Sequence, residues 1–267
     1  DSEWHVPAER AVRELAEGAA AWAIPWPCVH EFLAVTTHPR IFKTPTPLEA
    51  AIRLAVAHGE TDHGPAILLA DVADNPGSGG PGNTTDILEG LVRSKARRVL
   101  MGNFVDARVA AQCHRRGIGA RFDAAFNTEN ANEFARPLTL PVEVLALCDG
   151  KVIGRRGIAQ GRTVDLGQSA AIRSGGLTLV VVSRRIQCAD PIYFETFGLK
   201  IADFRTLVVK SLAHFRAGFD EFVTPENIHE VDAGGMTTPV QSRYKYKYLP
   251  RPIYPLDPET VWTPPTL

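Results

Sequence analysis

The sequence predicts an α/β fold with a mixed sheet: βαβ units over about residues 66–126, a more antiparallel β-rich portion over about 138–183, and helices on the outside. Three observations carry this. Short apolar runs at Ala66–Ala70, Arg98–Asn103 and Thr206–Val209 each stop at a polar turn that passes into a helical pattern, as strands of a sheet covered on both faces do. The first two of these runs alternate with helices, and such alternation favours parallel strands joined by right-handed crossovers. The segments Pro141–Cys148, Lys151–Ile158, Thr163–Ile172 and Leu177–Ser183 are β-rich and joined by Asp149-Gly150 and Gly175-Gly176, the chemistry of hairpin turns. Ala66–Ala70, Val99–Met101 and Leu207–Val209 are expected as neighbouring buried strands.

From the start of the chain, Ala8–Trp26 has the spacing of a helix, with Ala11, Leu15, Ala19 and Trp22 on one face and Pro25 and Pro27 closing it. Pro39, Pro45 and Pro47 mark a connector, and Leu48–His58 is a second helix running to Gly59. His30, Glu31 and His38 read as polar surface groups more readily than as metal ligands. The chain therefore divides into linker-type helices (1–60), an α/β domain (61–257) and a proline-rich tail (258–267).

The stretch Ala66–Arg98 is the centre of the chain. Its strand ends at Asp71, and Asp74-Asn75 opens a loop containing Gly77, Ser78, Gly79, Gly80 and Gly82. In open α/β sheets ligands bind at the carboxyl ends of strands, and glycines let backbone approach a ligand closely. The loop lacks the Gly-Lys-Ser/Thr ending of a P-loop and the spacing of a dinucleotide fingerprint. It stands either as a binding loop or as an ordinary surface turn rich in Gly, Pro, Ser and Asn. Asn83 is read as the cap of the following helix, with Ile87, Leu88, Leu91 and Val92 as its buried stripe. Asp106 is read as opening a further helix through Val109, Ala110 and Cys113 to Gly117, and Pro191–Phe197 as a short one.

A second strand-to-helix turn lies at Lys210-Ser211-Leu212-Ala213-His214-Phe215-Arg216. Ser211 reads as an N-cap, His214 as a first-turn residue disfavoured as imidazolium by the helix dipole, and Lys210 as a strand-end cation that offsets the carboxylates or meets an anion. The alternative is a solvated Lys210 and a His214 that serves its own helix. If both strands run parallel, Asp74-Asn75 and Lys210–His214 open on one edge, where the glycine loop would offer N–H groups to an anionic group or a scissile carbonyl. Further on, Tyr244-Lys-Tyr-Lys-Tyr248 alternates as an edge strand protected by lysines would.

The 267 residues, 45% of them hydrophobic, suffice for a sizeable core, and a net charge of −1 gives no electrostatic argument for nucleic acid or acidic membranes. The doublets Arg97-Arg98, Arg115-Arg116, Arg155-Arg156 and Arg184-Arg185 are scattered and read as solvated element ends. Cys28, Cys113, Cys148 and Cys188 form no Cys-x-x-Cys pair, so they read as reduced thiols of a cytoplasmic protein. No apolar run is of membrane length. The chain begins with Asp1, the start expected of a fragment, a processed product or an incomplete gene.

Five motifs then carry a resemblance: Asp71-x-x-Asp74-Asn75-Pro76-Gly77, Gly167-Gln168-Ser169-Ala170, Ser183-Arg184-x-x-Gln187, Lys210-Ser211-x-x-His214-Phe215-Arg216 and Pro252-x-Tyr254-Pro255-Leu256-Asp257. In this order the chain resembles the C-terminal domain of the microcystinase C (MlrC) family of metallopeptidase-like proteins, over about Pro65–Asp257. The resemblance implies a zinc hydrolase of linear peptides or related amides. Its metal ligands would come from an N-terminal domain that has no counterpart here, so no zinc is expected on this chain alone. It implies catalytic roles for Asp74, Lys210 and His214 and substrate contacts from Asp71, Asn75, Gly77, Ser78, Gly79, Gly80, Gln187 and Ser211. The partners implied are a peptide-like small molecule and the missing domain in cis or trans, with a homodimer as a further expectation. The other reading is a non-catalytic ligand-binding or dimerisation module.

Overall fold

The computed structural model describes residues 45–261 apart from 130, 254 and 255, and six positions near the start of the chain, of which Pro7, Arg10, Arg13, Glu14 and Glu17 are helical. Gly18, the sixth, is a bend within the expected Ala8–Trp26 helix; the other residues of that segment, and His30, Glu31 and His38, lie outside the described residues. Two compact units divide at Thr44/Pro45, so the helix Leu48–Gly59, expected among the linker helices, belongs to the same unit as the sheet.

The described chain runs β1 (Thr46–Pro47), α1 (Leu48–Gly59), β2 (Ile67–Asp71), α2 (Asp86–Arg93), β3 (Val99–Val105), α3 (Ala107–Arg116), β4 (Arg121–Phe126), β5 (Leu138–Cys148), β6 (Lys151–Ile153) and β7 (Thr163–Asp165). It continues with β8 (Ser169–Ser174), β9 (Leu177–Val182), α4 (Ile192–Glu195), β10 (Thr206–Val209), α5 (Arg216–Phe219) and β11 (Ile228–Asp232). Nine strands form one sheet in the order β1-β11-β2-β10-β3-β9-β8-β5-β4. From β1 to β9 every pairing is parallel, and from β9 to β4 every pairing is antiparallel. The three strands expected as neighbours are β2, β10 and β3, side by side, with Leu207 level with Leu68 on one side and Leu100 on the other.

Both faces of the parallel half are covered, which is why its strands are apolar throughout. Along β2, Ile67 and Leu69 join a core with Ile52, Leu88, Leu91 and Val109 under α1, α2 and α3. Leu68 and Ala70 point the other way, into a core with Tyr193, Phe194, Phe215 and Phe219. In α3 the Asp106 carboxylate accepts from Val109 N at 2.9 Å, the cap read from sequence.

The structure corrects several readings. The α2 helix starts at Asp86 with Thr85 rather than Asn83 at its cap; Asn83 is buried, and its carbonyl accepts from Asn127 Nδ2 at 2.8 Å. The run Thr163–Ile172 is two strands, because the chain leaves the small β6–β7 sheet at Leu166 and joins the large one at Ser169. Tyr244–Tyr248 is not a strand: the Tyr244 hydroxyl turns back onto the Met236 and Thr238 carbonyls, and the Tyr244 and Tyr246 rings meet edge-on at 5.8 Å. The Arg155-Arg156 doublet is not a solvated end. Both side chains pair with Glu221, and both backbone N–H groups donate to the buried Asp190.

Candidate active-site edge

Because β2, β10, β3 and β11 are parallel, Asp71, Lys210, Asn103 and Asp232 all emerge at one carboxyl edge. Lys210 is wholly buried there, and its ammonium donates to Asp71 Oδ2 at 2.8 Å, Asp74 Oδ2 at 2.9 Å, Thr84 Oγ1 at 2.8 Å and the Thr84 carbonyl at 3.1 Å. The Phe104 ring lies 5.7 Å from it. Asp74 also accepts from the N–H groups of Gly82 (2.7 Å) and Thr84 (2.8 Å), so its two oxygens fix where the glycine loop returns to the sheet.

Burial by itself would raise the Asp74 carboxyl. The Lys210 ammonium and the Thr84 and Gly82 N–H groups outweigh it and hold Asp74 below its ordinary value. Asp71 goes the other way: desolvation dominates, the Asp74 charge adds to it, and its pKa is raised despite Lys210. Burial would depress Lys210, yet the two carboxylates outweigh it and raise its pKa. The cluster holds two acids to one base, and Asp71 Oδ1 has no hydrogen-bond partner.

Asn75 organises the loop. Its Oδ1 accepts from Gly77 N at 3.0 Å, its Nδ2 donates to Ser78 Oγ at 2.8 Å, and its carbonyl accepts from Ser78 N and Gly80 N. Its own N–H donates to Thr237 Oγ1 at 2.9 Å, tying the loop to the segment after β11. Gly79 has φ +96, open to glycine. Every N–H from Gly77 to Gly80 is therefore engaged within the loop, Gly79 N on the Pro76 carbonyl. The expectation that these groups face an anion is corrected, since they are already satisfied.

His214 does not lie in a helical turn. The helix after β10 is the four-residue α5 capped at Phe215, so Ser211 is not its N-cap and the dipole argument for His214 falls away. Ser211 is buried, and its hydroxyl has no partner. His214 is exposed, and Gln187 Nε2 donates to its Nδ1 at 2.8 Å. The other end of that carboxamide lies against Gly77, where an added Cβ would meet Gln187 Oε1 at 2.3 Å. Gln187 thus joins the two motifs across the edge. Arg185 reaches the same loop, donating to the Gly79 carbonyl at 3.3 Å.

The edge therefore has two layers. Asp71, Asp74, Asn75, Lys210 and Ser211 lie beneath the surface, while Gly77, Ser78, Gly79, Arg185 and His214 are exposed. Sequence reasoning missed Thr84, Thr237, Arg185 and Asn103. Asn103 was legible as an amide interrupting the apolar run of β3; it is fully buried with neither amide atom partnered.

Zinc does not fit this edge. Among the described residues no three His, Cys, Asp or Glu side chains gather as a metal site, and Lys210 already sits between the two carboxylates where a cation would go. Among the described residues no helix is long and apolar enough to cross a membrane.

The fold is shared with a crystal structure from Mesorhizobium sp. BNC1 described as a "putative metallopeptidase", with a TM-score of 0.70 at 19% identity over 87% of this chain and 45% of that one. Microcystinase C of Sphingomonas sp. is 25% identical over 155 residues, 58% of this chain and 30% of that enzyme, so the chain spans less than half the length of either relative. The model of the MlrC C-terminus matches residues 69–248, well over half the chain and both motifs of the carboxyl edge, and the chain accordingly belongs to the MlrC C-terminus family.

Proposed function

We propose that this chain is the substrate-contacting C-terminal domain of a zinc metallopeptidase or amide hydrolase acting in the cytosol on linear peptides or related amides. The metal ligands would be supplied by an N-terminal domain, in cis or in trans. The observation that carries this reading is the two-layered carboxyl edge, in which a buried Lys210–Asp71–Asp74 network holds a loop beside exposed Arg185 and His214 and half-buried Gln187. In this division Asp74, Asp71, Asn75 and Lys210 are positioning residues, since none has a side chain at the surface. Arg185 offers a guanidinium to a substrate carboxylate. The Ser78 hydroxyl and the Gln187 carboxamide hydrogen-bond peptide groups, and the His214 imidazole is placed to move a proton. When bound, zinc would polarise the scissile carbonyl and activate water.

In the enzyme joined to its metal-binding half, His214→Ala should lower turnover on a linear peptide on the order of a hundredfold, with the urea midpoint unchanged. Unaltered turnover in both His214→Ala and Arg185→Ala would sink the proposal. Zinc analysis of the purified chain should give well under one equivalent; a full equivalent would place the metal here instead. One observation favours the second reading, a non-catalytic module: the N–H groups of the loop are satisfied by the loop itself, as in a loop kept for packing.

A further inference from the structure

The opposite, amino edge of the sheet carries a cavity of about 700 Å³ between the α2–β3 corner and the β8–β9 hairpin. Pro141, Leu177 and Phe204 give it apolar walls, and Lys95, Arg97, Arg98 and Arg173 bring four cations against the single acid Asp203. In a chain of net charge −1 this is a local excess of positive charge. Two of the four have carboxylate partners, Arg98 with Asp62 and Arg173 with Glu143. Lys95 and Arg97 have no ion-pair partner among the described residues, and both are exposed.

The backbone gives an independent indication. Three described non-glycine residues have positive φ, and two of them, Lys95 (54°) and Arg98 (56°), flank Arg97. Lys95 follows α2 with Ala96 N bonded to the Leu91 carbonyl, the position at a helix end where glycine is the unstrained choice. The chain instead puts an ammonium there. The corner is also held in place: a Cβ on Gly176 would stand 2.5 Å from the Ala96 carbonyl oxygen and 2.7 Å from Arg97 Cα, so the hairpin packs directly on it. Strain held by surrounding structure, next to unpaired cations and a cavity of ligand size, is the pattern of a binding site.

We propose that this cavity binds a small phosphorylated ligand, its phosphates held by Lys95 and Arg97 and its apolar or aromatic body lying against Pro141 and Phe204. The guanidinium fork suits phosphate oxygens, and the ammonium adds a point charge beside it. A nucleoside phosphate and a free inorganic polyphosphate share this chemistry. Calorimetric titration of the purified chain with ADP and with inorganic pyrophosphate separates them. Both should bind, ADP more tightly because only it has a body for the apolar walls. Lys95→Gly with Arg97→Ala should weaken both about tenfold or more, while Arg53→Ala, an exposed arginine on α1 away from the cavity, should bind as the unchanged chain does. Lys95→Gly relieves the positive φ, so the thermal midpoint reports whether the double variant is folded. Absence of binding by either probe, or equal affinity in the double variant, overturns the site. ADP binding no tighter than pyrophosphate overturns the assignment of the walls.

Discussion

Replacing Lys210 by Met keeps most of the length of the side chain but removes its charge from between two buried carboxylates. The ammonium lies 2.8 Å from Asp71 and 2.9 Å from Asp74, and all three side chains are at most 1% exposed. At an effective dielectric near 20 each contact is worth about 6 kcal/mol of gross attraction. Most of that is offset by the cost of taking three charges out of water, so the assembled cluster adds little net stability. Breaking it is different, because Asp71 and Asp74 would be left buried beside each other without a cation, a change that typically costs about 3–5 kcal/mol. Against a whole-domain stability of about 5–15 kcal/mol that is a large fraction. Urea unfolding at neutral pH measures it, and a loss below about 1 kcal/mol would refute the reasoning.

The pH dependence separates this cause from mere loss of packing. In the intact protein Asp74 is held below its ordinary value of 3.8, so its stabilisation is complete above that value and is lost as pH falls through the folded pKa. Lys210 is raised above 10.5, and its stabilisation is complete below 10.5 and lost as pH rises through its folded pKa. Asp71, raised above 3.8, works in the opposite sense to Asp74 and weakens the fold as pH rises through its own titration. Removing Lys210 takes away the charge that lowers both carboxyls, so both pKa values move upward. The deficit of Lys210→Met should therefore shrink as the solution is acidified, and Lys210→Met with Asp71→Asn should recover part of the loss at neutral pH.

The glycine loop gives a paired expectation. A Cβ at Gly80 would stand 2.9 Å from the Asn75 backbone nitrogen and oxygen, so Gly80→Ala should cost about 1–3 kcal/mol in urea unfolding. A Cβ at Gly77 meets the movable end of Gln187 first and Asn75 Oδ1 only at 3.2 Å, so Gly77→Ala should leave stability within about 1 kcal/mol and instead shift the His214 ring resonances as Gln187 turns away. Burial pushes the Cys113 thiol up to about 11 and Cys188 well above its ordinary value. Of the three described cysteines, half-buried Cys148 should react first with iodoacetamide at pH 8, as read by peptide mass mapping; early labelling of Cys113 or Cys188 would contradict the packing.

The three central strands of the parallel half were legible because strands buried on both faces have no polar alternation: Ile67–Ala70, Val99–Met101 and Thr206–Val209 could be little else, whereas β11, with His229 and Glu230 in its run, gave no such signal. The β8–β9 hairpin was legible from Gly175-Gly176, whereas Asp149-Gly150, expected as a second hairpin turn, instead carries the chain from β5 in the large sheet to β6 in the small one. What the sequence hid were contacts between distant segments. Thr84 looks like a helix-entry residue, yet it serves Lys210, which is 126 positions away. Asn83 and Ser211 have the chemistry of caps, but tertiary packing gave the α2 cap to Thr85 and reduced the helix after Ser211 to four residues. The convergence of Asp74 and Lys210 followed from parallel strands meeting at one edge. Their burial did not, because a carboxylate read from sequence next to a glycine loop suggests an open site. Arg185 was hidden among arginine doublets until the loop carbonyl of Gly79 placed it.

The claim most in need of a direct test is that the exposed layer of this edge receives peptide. Titrating the isotope-labelled chain with a short linear peptide bearing a free carboxylate, and following amide and side-chain resonances, reads it residue by residue. The account predicts saturable shifts concentrated at Ser78, Gly79, Arg185, Gln187 and His214, abolished by Arg185→Ala. Shifts absent there at saturating peptide, or shifts unaffected by Arg185→Ala, would contradict it.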